Sequence, residues 1–577
     1  MLPDVPAVGR EFDYAVPDRW ADRMQVGCRV RVRLHNRPVG GWVTAVDPSP
    51  PADVDLQAIT GYSGLGPPAS VLALAGWAAW RWAMPVATVL RVGSPDRNVW
   101  SLPPAPAPAG GQAGPADRAV GQLAASPLGP GAGRAGPPAT GVELLRLGPA
   151  TDPLPVVLEA VGAAGPGTVV VLVPNLGWAD RLADRLRRRG VPVAGSWAEA
   201  AAGWPVVVGS RAAAWAPVPH LAAAVVLDAH DEAYRDRYDA VAVLAERAAR
   251  AGVPCRLVSA CPTAVQVARY PLVVSPDERS GWPAVSVVDR RAADPRTGLL
   301  SDELVGVARR LSGRPEPLVC VLNRTGRAKL LACAACGELA RCDACGRPVE
   351  QVDDRLRCRT CGADRPVVCA ACGATRLKVL RPGVSRIRDE LEALLGVAVG
   401  EVAGPAAPVP DVPVLVGTEA VLHRVRRAAA VVFLDFDQHL LAARFTAAED
   451  ALALLARAGR LAGGRGQAGA GPVLVQTRLP DHPVLAAAVA GDPGRLDEVA
   501  LRRELDLPPF AALATLSGEA AGAYGRALAA APTVTAADLG DGRWLVRGPD
   551  HRRVCDALRD TPRPPGQLRI SVDPTDV

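Results

Sequence analysis

Lysine is almost missing from this chain. Of its 65 basic residues in 577, only Lys329 and Lys378 are lysines. Every task usually given to an ammonium group is therefore absent or handed to arginine, whose guanidinium is planar and never deprotonated. A GC-rich genome favours Arg, Ala, Gly and Pro codons and explains the bias, but the chemical consequence stands. Long apolar runs are missing too: no stretch approaches the ~18 residues that a membrane-spanning helix needs, and Asp4, Arg10 and Glu11 come early. A soluble, cytoplasmic protein with no membrane partner is expected. Excess charge is also lacking. A net +6 is small for this length, so charge alone does not establish nucleic-acid binding. Among the seven histidines no nucleophile–base constellation stands out.

What is present is a multidomain α/β pattern. A chain this long exceeds one hydrophobic core, and three to five domains are expected, with an apolar content of 49% ample for packing. Residues 1–100 read as β-rich: Arg29–Leu34 alternates with period two, and Gly40-Gly41 reads as a turn before a strand at Trp42–Val46. A helix carrying Trp77, Trp80 and Trp82 follows; its indoles read as core packing, with base stacking the alternative. Residues 101–140 are nearly all Pro, Ala and Gly and are expected to form a disordered linker. From 141 to 310 strands and helices alternate, as in a parallel lobe. A second lobe is expected over 311–328 and 377–490, interrupted by a cysteine module at 329–376. A small α+β domain at 491–577 ends the chain.

Eight of the thirteen cysteines form four Cys-x-x-Cys pairs: Cys333/Cys336, Cys342/Cys345, Cys358/Cys361 and Cys369/Cys372. Each pair sets two sulfurs on one side of a tight loop, and two pairs complete a tetrahedron around Zn²⁺. Gly337, Gly346, Gly362 and Gly373 each follow a second cysteine, where such a knuckle needs positive φ. The spacing predicts that the inner pairs, Cys342, Cys345, Cys358 and Cys361, share one zinc across a hairpin. The outer four, Cys333, Cys336, Cys369 and Cys372, then share the other. Each four-thiolate site carries a formal charge of about −2, and Arg341, Arg347, Arg355, Arg357, Arg359, Arg365 and Arg376 surround them. Those arginines either neutralise the clusters or add a contact surface for DNA or protein. Cys28, Cys255, Cys261, Cys320 and Cys555 are scattered and read as buried packing.

An α/β lobe followed by a second lobe with an eight-cysteine insertion resembles the PriA family of replication-restart proteins. Leu322-Asn323-Arg324-Thr325-Gly326-Arg327 is similar to the family's lead-in to its zinc module. Phe12-Asp13-Tyr14, Pro17 and Gly27–Val32 are similar to its N-terminal module for nascent-strand 3′ ends. Val416-Gly417-Thr418, Leu434-Asp435-Phe436-Asp437, Phe445 and Glu449 resemble segments of its second lobe, and Leu507-Pro508-Pro509-Phe510 with Val572-Asp573-Pro574 resembles its C-terminal domain. The resemblance implies two RecA-like helicase lobes, two zinc ions and a 3′-end site at Phe12, Asp13 and Tyr14. There the Asp13 carboxylate would accept a hydrogen bond from the terminal hydroxyl, a donor that internal nucleotides lack. It implies forked and single-stranded DNA, primosome or replicative helicase-loading proteins, and single-stranded DNA-binding protein as partners.

The departures from the family are as telling. A phosphate-binding loop needs backbone N–H donors and a lysine. At the corresponding place stand Leu147-Gly148-Pro149-Ala150-Thr151-Asp152-Pro153-Leu154-Pro155, with three prolines that lack N–H and an acidic Asp152 expected to face the phosphates. No lysine exists between Met1 and Gly326 to supply the ammonium. The Asp-Glu-x-His signature appears as Asp228-Ala229-His230-Asp231, one carboxylate short, and the Ser-Ala-Thr-Pro segment reads Ser259-Ala260-Cys261-Pro262. A Gln-x-x-Gly-Arg-x-Gly-Arg element survives only as Arg457-Ala458-Gly459-Arg460, without its glutamine. The family's winged-helix domain has no counterpart beyond the 101–140 tract. The expectation is a scaffold with no catalytic residues and doubtful ATP binding. The alternatives are an ATP-dependent 3′-to-5′ helicase with an unusual nucleotide site and a zinc-dependent protein-interaction module without DNA binding. A metal held by Asp228, His230 and Asp231 is a further possibility, made awkward by their contiguity at a strand end.

Overall fold

The computed structural model describes residues 1–6, 8–47, 55–106, 141–293, 298–311, 313–322, 331–358, 361–379, 384–402 and 408–575. The Pro/Ala/Gly tract beyond 106, the lead-in Asn323–Arg327, Lys329 and Arg359 lie outside the described residues.

At the N-terminal end, four short strands form an antiparallel sheet in the order Leu2–Pro3, Arg37–Trp42, Arg29–Leu34, Gly61–Tyr62. Val30 and Val32 point into a small core of their own, while Arg31 and Arg33 point out, as the alternation predicts. The turn sits elsewhere than expected. Gly40 and Gly41 lie inside the strand Arg37–Trp42, and the chain reverses at His35 and Asn36, with φ of 48° and 62°. Two consecutive left-handed residues make the hairpin turn whose twist matches its strands. Gly41 serves close approach instead, since a Cβ there would lie 2.4 Å from the Leu2 carbonyl oxygen.

Two parallel sheets follow. The first is seven-stranded, in the order Leu272–Val274, Val142–Arg146, Cys255–Ser259, Leu221–Leu227, Thr168–Leu172, Val206–Gly209, Val193–Ala194. The second is six-stranded, in the order Ala284–Asp289, Pro472–Thr477, Ala430–Asp435, Leu318–Leu322, Val414–Gly417, Val399–Val402. Thr168–Leu172 and Leu318–Leu322 are buried throughout, as continuous apolar strands covered on both faces by helices must be. The boundary between lobes differs from the expected 310. Ala284–Asp289 pairs in full register with Pro472–Thr477, and Leu304 and Val307 of the next helix enter the second lobe's core. The crossing falls at 275–283, because Trp282 is fully buried in the second lobe.

The C-terminal antiparallel sheet runs Thr535–Gly540, Arg543–Gly548, Ala512–Ser517, Arg569–Val572. It does not stand apart: the helix Ala69–Arg81, the first parallel sheet and this sheet share one continuous apolar core. The tryptophans explain why. Trp82 is buried against Trp77 at 5.5 Å between ring centres, and the Trp80 indole N–H donates to Asp556 at 3.0 Å. They pack the N-terminal helix onto its neighbours. No helix among the described residues is long and apolar enough to cross a membrane.

Candidate functional site

Among the described residues the cysteine module has a small apolar core, chiefly Leu331, Ala340, Val349 and Leu356. Its order comes from four copies of one turn. In each, the glycine after the second cysteine donates its amide to the carbonyl of the first: Gly337 to Cys333, Gly346 to Cys342, Gly362 to Cys358, Gly373 to Cys369, at 2.9–3.0 Å. All four glycines have φ between 69° and 77°. The turns bring the sulfurs into the two expected groups, Cys333, Cys336, Cys369, Cys372 and Cys342, Cys345, Cys358, Cys361, each within 4.8 Å. Sulfur–sulfur separations of 3.4–3.6 Å are far beyond a disulfide's ~2.05 Å. They are close to the ~3.8 Å edge of a tetrahedron with zinc–sulfur bonds of ~2.3 Å. Four thiolates in that arrangement could hold a metal ion, and the donor set is compatible with zinc. The remaining five cysteines are buried and unpaired.

Of the arginines around the module, Arg347 anchors it to the second lobe through Ala442 O at 2.6 Å. Arg365 bonds Val368 O at 2.5 Å and Arg341 O at 3.2 Å inside the module, and Arg355 pairs with Asp364 at 2.5 Å. At least part of this charge is spent on holding the module together.

In the N-terminal region, Asp13 and Tyr14 line a cavity of about 460 Å³ together with Met24, Val43, Asp47 and Ile59. Asp13 is exposed. Tyr14 donates its hydroxyl to Arg33 O at 3.3 Å, and burial raises its pKa. Phe12 is not among the lining residues. Its amide donates to Met1 O at 3.0 Å, and the Arg10 guanidinium covers its ring at 4.8 Å. The three motif residues are thus divided between wall and support.

The loop 147–153 does connect a strand, Val142–Arg146, to a helix, Leu154–Ala163, as a phosphate loop would. Its interior is taken up. Leu147 N donates to Ser259 O, Ala150 N to Gly281 O, Thr151 N to Gly148 O and Leu154 N to Asp152 Oδ1, at 3.0–3.1 Å. A Cβ on Gly148 would lie 2.6 Å from Glu278 O and 2.7 Å from Gly281 Cα, so the segment 278–281 rests directly on the loop. An ion pair pins that segment: Arg146 Nη2 donates to Glu278 Oε2 at 3.0 Å, and Arg146 Nε lies 2.6 Å from Oε1. The expectation that Asp152 presents bare charge needs correction: its carboxylate is forked by Arg185 at 2.9 and 2.5 Å. Burial alone would raise its pKa, but the guanidinium and the Leu154 amide bring it down.

In the same lobe, the acidic remnant is divided among three partners, two of them from the second lobe. Asp228 pairs with Arg460 at 2.5 Å and Asp231 with Arg457 at 2.6 Å, while His230 Nδ1 meets Ser259 Oγ at 2.8 Å. Burial pushes the His230 pKa down. Burial would raise Asp231, but Arg457 outweighs it and holds the carboxyl below its ordinary value. Among the described residues these three groups form no metal-binding cluster. Sequence reasoning missed Glu449 as a bridge: it accepts from Ala264 N at 2.6 Å in the first lobe and pairs with buried Arg502 at 2.7 Å. Only tertiary structure brings these positions together.

Residues 2–95 match the family model of the PriA 3′ DNA-binding domain. The replication restart protein PriA of Haemophilus influenzae is 26% identical over 400 residues, covering 61% of this chain and 54% of that protein. Its Bacillus subtilis counterpart is 27% identical, covering 63% and 51%. The chain spans about half the length of these two relatives. A probable replication restart protein PriA of Mycobacterium tuberculosis is 28% identical over 99% of this chain and 92% of its own.

Proposed function

Because the chain belongs to the PriA family of replication restart proteins, we propose that it holds forked or repaired DNA for replication restart as a scaffold and does not hydrolyse ATP. The observation that carries this reading is the filled phosphate loop, with the amides of Leu147, Ala150 and Thr151 bonded within the protein, Gly281 against Gly148, and no lysine among residues 1–326. Hydrolysis of a nucleoside triphosphate depends on donors and cations placed around the transferred group, and here those positions are given to the protein's own backbone. The cavity beside Asp13 takes the nascent 3′ end, its carboxylate accepting from the terminal hydroxyl. Phe12 supports that wall from behind and Tyr14 shapes it. Two zinc ions hold the cysteine module, one in each four-thiolate group. Arginines supply the phosphate contacts, so affinity falls with salt. The scaffold presents DNA to primosome or helicase-loading proteins and to single-stranded DNA-binding protein.

The test is a titration of zinc-loaded protein with forked DNA bearing a free or a blocked 3′ end, at two salt concentrations, with phosphate release followed in parallel. Preference for the free end, lost in Asp13→Ala without loss of general affinity, is expected, together with no DNA-stimulated phosphate release. Robust turnover would remove the scaffold reading. Equal binding of both ends by the unmodified protein would remove the 3′-end site.

A further inference from the structure

The helix Ala447–Ala462 belongs to the second lobe, yet three of its charged side chains end in the first. Glu449, Arg457 and Arg460 are spaced by eight and three residues, which sets them within one stripe of an α-helix. Glu449 caps the amide of Ala264 at 2.6 Å, Arg457 meets Asp231 at 2.6 Å, and Arg460 meets Asp228 at 2.5 Å while lying over the Trp178 ring at 4.4 Å. Between the arginines, Gly459 lets the helix touch the first lobe: a Cβ there would lie 3.3 Å from Pro149 and 2.6 Å from Pro283. Just beyond the helix, Gln467 donates to Ala150 O at 2.9 Å, on the loop where a phosphate would sit.

Each contact joins one lobe to the other directly. Asp231 and Arg457 are 3% and 13% exposed, so solvent and salt screen them weakly. Removing either partner would leave a buried charge unmatched. An arrangement stabilised from both sides in this way has no need of a ligand to close it.

We infer that Arg457 and Arg460 are positioning residues that fix the two lobes in one closed arrangement without nucleotide, so that a surface spanning both lobes is permanently in register. The closed cleft stands independently of what the protein binds; only its consequence for DNA rests on the reading above.

Hydrogen–deuterium exchange on the intact, metal-loaded chain tests it. In the unmodified protein, amides of 147–157, 260–267 and 460–467 are protected as strongly without nucleotide as with millimolar ATP and Mg²⁺. Arg457→Gln raises exchange in these segments by about tenfold, while strands Val169–Leu172 and Val431–Leu434 keep their protection. Arg457→Lys retains most of it. Arg460→Gln, at a partly exposed position that tolerates change, gives a smaller rise in the same segments. Forked-DNA affinity falls in the order of the exchange increase. The inference fails if the unmodified cleft exchanges like an open loop, if ATP slows its exchange, or if Arg457→Gln and Arg460→Gln both leave it unchanged. A protected cleft in a protein that hydrolyses ATP would sink the scaffold and spare the lock. A mobile cleft without hydrolysis would do the reverse.

Discussion

The cysteine module and the interlobe cleft both have the layout of ligand sites, and they differ in what their polar groups do when no ligand is considered. In the module, two groups of four sulfurs face one another at separations suited to a metal, beside a small apolar core. In the cleft, Asp228 and Asp231 are paired with Arg460 and Arg457, and the amides of Leu147, Ala150 and Thr151 are bonded to the protein's own carbonyls. A site that needs its ligand keeps donors that are costly without it. Where the protein's own groups already meet those costs, as around Asp228 and Asp231, no ligand is required to satisfy them.

The most damaging way to probe this contrast is to remove a sulfur. Cys358→Ser should abolish one of two bound metal ions and leave 349–366 open to proteases, because metal binding in such modules contributes about 10 kcal/mol that this small core cannot replace. Full metal content in the variant, measured by mass spectrometry, would place the ligands elsewhere. On the cleft side the largest effect should come from Arg502→Ala. Arg502 is 2% exposed, pairs with Glu449 at 2.7 Å, donates to Pro508 O at 3.2 Å and lies over Phe445. Stranding the Glu449 charge should cost about 3–5 kcal/mol, read from denaturant unfolding. A loss below about 1 kcal/mol would mean the pair is not buried in solution.

How much of this was legible beforehand depends on how local the signal is. Sulfur pairing followed from spacing alone, because a Cys-x-x-Cys-Gly turn fixes its geometry within five residues. The strands of both lobes were legible as apolar runs for the same reason. The hairpin turn was misplaced because His35-Asn36 is a less obvious left-handed pair than Gly40-Gly41, whose role is contact with the first strand. The lobe boundary was misplaced because Ala284–Asp289 finds its partner only at Pro472–Thr477. The three prolines of the loop, Pro149, Pro153 and Pro155, were visible in the sequence. What fills the loop was not, since Gly281 and Gln467 are distant in sequence. The same holds for Arg81, whose guanidinium meets Asp573 at 2.6 Å, with His551 on the other carboxylate oxygen at 2.7 Å. The Val572-Asp573-Pro574 motif carried no hint that its partner lies on the N-terminal helix.

Between the two contrasted regions lies Leu434-Asp435-Phe436-Asp437, next to the stretch where Arg347 docks the module. Burial, reinforced by the nearby Asp437 charge, pushes the Asp435 pKa up to about 7. The unfolded value is near 3.9, so the folded state prefers the protonated acid. That preference contributes stability fully below about pH 4 and loses it as pH rises through about 7. Asp435→Asn should therefore flatten the decline and leave the protein more stable above pH 7, by on the order of 2 kcal/mol. Unfolding curves at pH 5 and pH 8 decide it; a variant less stable at pH 8 would mean the carboxylate is ionised and needed.

The smallest expected effect is the sharpest for the comparison. A ligand at a hundred times its dissociation constant stabilises a folded protein by about 2.7 kcal/mol, so millimolar ATP and Mg²⁺ would visibly raise the melting temperature of any protein with a working site. Here the shift should stay below about 1 °C, while forked DNA in the same buffer raises it. Restoring chemistry to the loop should not change this. With Ala150→Lys and Pro153→Gly, the loop regains a cation and an amide, yet Gly148 still rests on Gly281 and the Arg146–Glu278 pair still holds 278–281 in place. A phosphate needs space before it needs a charge to meet it. Only a variant that also frees that segment, such as Glu278→Ala added to the other two, would begin to admit nucleotide. A clear ATP-dependent shift in the two-residue variant would show that composition, and not occupancy, had closed the cleft.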